Sequence, residues 1–129
     1  MSKRLGYFQD FKGSDMILLS CEATEVSALR TSLSAAMTHG SVFALHDFAE
    51  VSVRHLVRLF FCLSTAPSRS SDGGFVWILN ESEYLEVDLK LEALGRVGVG
   101  HQYFDLSQTH TTLMVSVGEY PDQWWQRDR

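Results

Sequence analysis

Residues Asn80–Gly95 read NESEYLEVDLKLEALG, and the fold turns on whether they form a helix or a strand. Leu85, Val87, Leu89 and Leu91 alternate with Glu86, Asp88, Lys90 and Glu92, the period of a half-buried strand. Tyr84, Val87, Leu91 and Leu94 instead fall at i, i+3, i+7 and i+10, one stripe of an amphipathic helix. Asn80 is a good N-cap, and Glu83 stands three positions later, as in a capping box. The Leu, Glu, Lys and Ala content also favours helix. The pattern occurs twice, which decides the matter: these residues are read as a helix ending at Gly95.

The earlier copy lies 58 positions upstream, where Val26, Leu29, Leu33 and Ala36 repeat the stripe. This first helix is read over Ser20–Thr38, with Glu22 and Glu25 in its early turns and His39-Gly40 as its stop. Short apolar runs, Met16–Leu19 and Phe75–Leu79, precede the two stripes and suit buried strands. Ser41–Glu50 (SVFALHDFAE) and His101–Leu106 follow them and are read as strands, as are Leu59–Leu63 and Thr112–Val117. Val51–Arg58 has no decisive period. Tyr7, Phe8 and Phe11 supply an edge strand or packing hook near the start. Ser64–Gly74 (STAPSRSSDGG) is read as the loop joining the halves. The expected fold is α+β: a mainly antiparallel sheet with two helices on one face, built as a tandem β-α-β-β repeat. Its halves are 15–64 and 75–118, within a single domain spanning 1–129. The agreement between halves lies in hydrophobic phase more than in identity, although Glu25/Glu83 and Asp47/Asp105 coincide.

An apolar share of 45% over 129 residues is enough for one core without staples. The net charge of −5 argues against nucleic acid and anionic membrane, which need clustered Lys and Arg. It favours a basic protein partner. The first residues lack the apolar run of a secretory leader, and no apolar run approaches membrane-spanning length. A cytoplasmic protein is expected, with Cys21 and Cys62 as reduced thiols packed among apolar neighbours (LLSCEA and LFFCLS).

Chemistry-bearing residues gather late in the chain. On a strand, His101, Tyr103 and Asp105 share one face, and a hairpin brings Glu119 toward them. This set is read as a partner-contact face or polar network, since no nucleophile accompanies it; acid–base catalysis by the same four residues is the rival reading. Tyr120, Trp124 and Trp125 complete the candidate partner-binding set, with the tryptophans either covering the sheet or anchoring a partner. Homodimerisation through these tryptophans and an exposed strand edge is a third reading. Five histidines (His39, His46, His55, His101, His110) make no HxH or HExxH pattern, and no CxxC is present, so no metal is expected. Gly95, Gly98 and Gly100 have the wrong order for a phosphate loop, and no cofactor is expected. Arg54 and Arg58 beside His55 are read as a solvated basic cluster.

The stretches WILNESEYLEVDL, GHQYFDLS and LMVSVGEYPDQWW resemble small immunity proteins of bacterial polymorphic-toxin and contact-inhibition systems. The resemblance rests mainly on residues 99–121 and on overall size and acidity. It implies a compact α+β protein, without enzymatic activity, that neutralises a cognate toxin domain, often a nuclease with a basic cleft. Glu81, Glu83, Asp105 and Glu119 are then candidates for charge complementarity. No binding residue is carried over from the family.

Overall fold

The computed structural model describes residues 3–11, 13–64, 69–71 (backbone only), 74–106 and 109–126. In chain order the elements are β1 (Arg4–Phe11), β2 (Ser14–Cys21), α1 (Ala23–His39), β3 (Phe43–Ala44), α2 (Leu45–Phe48), β4 (Glu50–Val51), β5 (Leu59–Leu63), β6 (Arg69–Ser71), β7 (Gly74–Leu79), α3 (Glu81–Val97), β8 (Gly100–Asp105), β9 (Thr111–Val117) and α4 (Asp122–Gln126). The fold is α+β. Its strands form a five-stranded sheet, ordered β4-β1-β2-β9-β8, and a four-stranded sheet, ordered β3-β5-β7-β6. Antiparallel pairings outnumber parallel ones, with β1–β4, β2–β9 and β5–β7 parallel. No helix among the described residues is long and apolar enough to cross a membrane.

The segment is helical over Glu81–Val97, with Asn80 as its N-cap. Asn80 Oδ1 accepts the Glu83 N–H at 2.8 Å, and Glu83 Oε1 accepts the Asn80 N–H at 2.9 Å, closing the capping box. Tyr84, Val87, Leu91 and Leu94 are buried, while Leu85 and Leu89 are exposed. The strand-like alternation arises from those two solvent-facing leucines. Asn80→Ala removes the acceptor for Glu83 and is expected to cost about 1 kcal/mol in a denaturant titration.

The repeat extends to the helix ends. At the position matching Asn80, the Glu22 N–H donates to Glu25 Oε1 at 2.8 Å. Each helix is 17 residues long. Gly40 (φ 64°) terminates α1, and its counterpart Gly98 (φ 88°) terminates α3. A left-handed residue is needed there, and glycine adopts it without a Cβ clash. The expected stop at Gly95 is therefore corrected. Gly95 lies inside α3, where a Cβ would stand 3.4 Å from Val26 Cγ1 of α1, so it serves the approach of the two helices.

The halves are interlocked rather than side by side. The first strand of each repeat pairs, in parallel, with the last strand of the other. Ile17 stands opposite Leu113 and Leu19 opposite Val115. The same joint recurs with Phe75 opposite Leu59 and Trp77 opposite Phe61. Antiparallel pairs flank both joints: β1–β2 matches β6–β7, and β8–β9 matches β3–β5. Arg30 and Asp88 occupy one position in the two helices, 58 residues apart, and form a bidentate pair at 2.8 and 3.1 Å. A contact between equivalent positions places this pair on the pseudo-two-fold axis. One core draws on both repeats, including Leu33, Leu91, Leu19, Trp77, Phe61 and Val115.

Three local expectations are corrected. Ser41–Glu50 is not one strand: only Phe43–Ala44 and Glu50–Val51 pair as strands, with α2 between them. The turn buries Leu45 completely and brings His46 Nδ1 to 3.0 Å from the Leu59 N–H, which donates to it. The first helix begins at Ala23, because Ser20 and Cys21 still belong to β2. The joining segment is not all loop, since β6 pairs with β7; residues 65–68 and 72–73 lie outside the described residues. Residues 107–108, between β8 and β9, also lie outside the described residues.

Candidate functional site

Strand periodicity separates the two faces of β8. Phe104 is buried and packs on Trp77 with ring centroids 5.7 Å apart. His101, Tyr103 and Asp105 therefore point to the outer face, and all three are exposed. The hairpin register sets their neighbours on β9: Ser116 opposite His101, Met114 opposite Tyr103 and Thr112 opposite Asp105. Gly118 (φ 73°) turns the chain after β9, returning Glu119 over this ladder. His101 Nδ1 lies 2.9 and 3.1 Å from the two Glu119 carboxylate oxygens, the geometry of an imidazole N–H donating to a carboxylate. Ser116 Oγ also donates to Glu119 Oε1. The His101 and Tyr103 rings meet edge to face at 5.0 Å.

Asp105 stands apart from this group. It lies four residues along the strand from His101, about 13 Å at ~3.3 Å per residue. There it borders an open depression with Ser14, Met16, Lys90, Tyr103 and Thr112. The expected cluster thus divides into a His101–Glu119–Ser116 network with Tyr103 beside it, and a separate Asp105–Lys90 region. Within the network the carboxylate lies between hydroxyl and imidazole. A serine nucleophile needs the imidazole as its immediate neighbour, to take its proton. Ser116 is fully buried, whereas a nucleophile must be reached by substrate.

The C-terminal aromatics meet the other half of the same outer face. α4 folds back across β1 and β2, and Trp125 is buried there among Phe8, Met16, Leu18 and Met114. Its indole N–H donates to Ser20 Oγ at 2.9 Å. Gly6 makes this possible, since a Cβ there would lie 2.9 Å from Trp125 Cζ3. Asp122, at the start of α4, pairs with Arg4 at 3.5 Å. Trp124 is half-buried and stacks edge to face on Tyr120 at 4.7 Å, with Phe11 at 6.2 Å. Of the candidate partner residues, His101, Tyr103, Asp105 and Glu119 are thus exposed on the β8–β9 half of the outer face. Trp125 is consumed in covering the β1–β2 half, with Tyr120 and Trp124 packed around it.

Ser116 was not among the sequence candidates. Its signal is the hairpin register, which becomes legible only once the turn between β8 and β9 has a known length. No group of three or more His, Cys, Asp or Glu side chains among the described residues is placed to hold a metal ion. Cys21 is buried, and burial pushes its thiol up to about 12, which leaves it protonated and inert.

No known family model matches the chain, and no curated protein matches it. Among solved structures it is similar to the crystal structure of Drosophila Suppressor of Fused, at 12% identity and a TM-score of 0.45. That alignment covers 92% of this chain and 27% of the other.

Proposed function

We propose that this chain is a non-enzymatic binding protein of immunity type, which captures a basic protein partner on the outer face of β8–β9 and neutralises it by occlusion. The observation that carries this reading is the placement of His101, Tyr103 and Asp105 together on an open sheet face instead of in an enclosed pocket. Reaction centres exclude water and converge polar groups in a concavity. A shallow face with an exposed tyrosine flanked by charge suits protein recognition, where aromatic anchors contribute most of the energy. Tyr103, 46% exposed, is the anchor in this reading. Asp105 and Glu119 supply complementary charge, which chiefly raises association rate and specificity. The stretch resembling immunity proteins, 99–121, covers these same residues. The protein acts in the cytoplasm in this reading, consistent with two free cysteines.

The test is a calorimetric titration against the toxin domain encoded beside this chain's gene. H101A/D105A is expected to keep the wild-type melt and weaken the complex at least tenfold, the order of a lost hot-spot pair. Undiminished binding by the double variant, or a neighbourhood encoding no toxin, removes the reading.

A further inference from the structure

The free edges of the two sheets are unequal. Among the described residues the five-stranded sheet ends in β4 and β8, and the four-stranded sheet in β3 and β6. β3 and β4 are two residues long and β6 is three, too short to template another strand. β8 runs for six residues and pairs with β9 in one unbroken register, without the irregularity that interrupts β1–β2 between Phe8 and Phe11. Its repeat counterpart, β3, is shortened by α2. A long, regular edge without proline or bulge is the kind that soluble proteins normally blunt.

The outer-face residues of β8 are also arranged symmetrically, with His101 and Asp105 equidistant from Tyr103. When two such strands meet antiparallel about Tyr103, directly opposite residues share a face. We propose that β8 is a dimerisation edge: two copies join antiparallel through His101–Asp105 about a two-fold axis at Tyr103, with His101 of each opposite Asp105 of the other. The joint is isologous and closes at two copies. It puts a carboxylate across from each imidazole and the two Tyr103 rings together at the axis. On the inner face it sets Gln102 beside Phe104 of the second copy. The two five-stranded sheets become one ten-stranded sheet. A parallel joint would lose the pairing, placing His101 near His101 and Asp105 near Asp105. The inference concerns the strand edge of the bare chain and stands whether or not a partner binds the outer face.

Sedimentation velocity on the pure protein tests it. Wild type is expected to associate reversibly to a dimer. D105K sets a lysine opposite His101 twice per dimer and is expected to weaken association about tenfold or more. H101E, carried with E119Q to remove the like charge beside it, places glutamate opposite Asp105 and does the same. Positions 101 and 105 are exposed, so both proteins should keep the wild-type melt. Mixed in equal amounts they regain complementary pairs. His101 of the D105K copy then faces Asp105 of the H101E copy, and the introduced lysine faces the introduced glutamate. The mixture is expected to form a heterodimer at near wild-type strength. A wild-type protein that stays monomeric to about 1 mM, a D105K protein that dimerises as well as wild type, or a mixture showing no recovery would each overturn the proposal.

Discussion

Leu91→Asp is expected to unfold the chain. Leu91 is fully buried between α3 and the shared core, and its repeat counterpart Leu33 is 1% exposed on α1. A carboxylate at either place enters an apolar environment without a partner, at a cost of several kcal/mol beyond the lost leucine packing. A domain of this size has about 5–15 kcal/mol in total, and both penalties fall on one core. Leu33→Asp should therefore fail in the same way, since the two residues sit at matched depth. Leu89→Asp is the decisive control. In a strand, residues 89 and 91 share a face and both substitutions would be alike. In α3, Leu89 is 68% exposed, so its aspartate should change stability by no more than about 0.5 kcal/mol. Circular dichroism melts that rank 91 and 33 as unfolded and 89 as native confirm the helix; equal damage at 89 and 91 contradicts it.

The helices were legible because a helical stripe is written locally. Val26, Leu29, Leu33 and Ala36, then Tyr84, Val87, Leu91 and Leu94, are the buried residues of α1 and α3. The repeat held further information: the Gly40 stop, carried forward by the same interval, points to Gly98 instead of Gly95. The exchange of strands between halves was not legible. Hydrophobic phase says which face of a strand is buried but not which strand lies beside it, and the β2–β9 and β5–β7 joints are long-range choices made by the whole core. α2 is not legible in SVFALHDFAE, which carries no helical period. Its turn is selected by Leu45 burial and by the His46–Leu59 hydrogen bond, both tertiary.

The candidate site was half legible for the same reason. Alternation placed His101, Tyr103 and Asp105 on one face, and hairpin reasoning brought Glu119 back to it. Distance along the strand then parted Asp105 from the His101–Glu119 pair. What surrounds Asp105 is not legible along the strand, because Lys90 arrives there from a different element, α3. The role of the tryptophans depended on Gly6, a residue with no sequence signal beyond its small size.

Trp125→Ala carries the second large expected effect, about 3–5 kcal/mol of stability. The indole is 7% exposed, packs against Phe8 with centroids 5.8 Å apart, and is tied to Ser20 by its N–H. Without it α4 loses its anchor, and the apolar outer surface of Phe8, Met16, Leu18 and Met114 is opened to water. An exposed patch of that kind promotes self-association, so the variant should bind a hydrophobic dye and aggregate at a lower temperature than wild type. Gly6→Ala approaches the same joint from below. The new methyl would stand 2.9 Å from Trp125 Cζ3 and 3.2 Å from His55 Cβ, so α4 must lift or β1 must shift. If the indole is the main obstacle, Gly6→Ala destabilises wild type strongly and the Trp125→Ala background only weakly. A double-mutant cycle by urea titration should then show coupling of more than about 1 kcal/mol. Additive losses would mean that His55 and Phe8, at 3.2 and 3.1 Å, set the fit of Gly6, and that α4 rests on the sheet without depending on it.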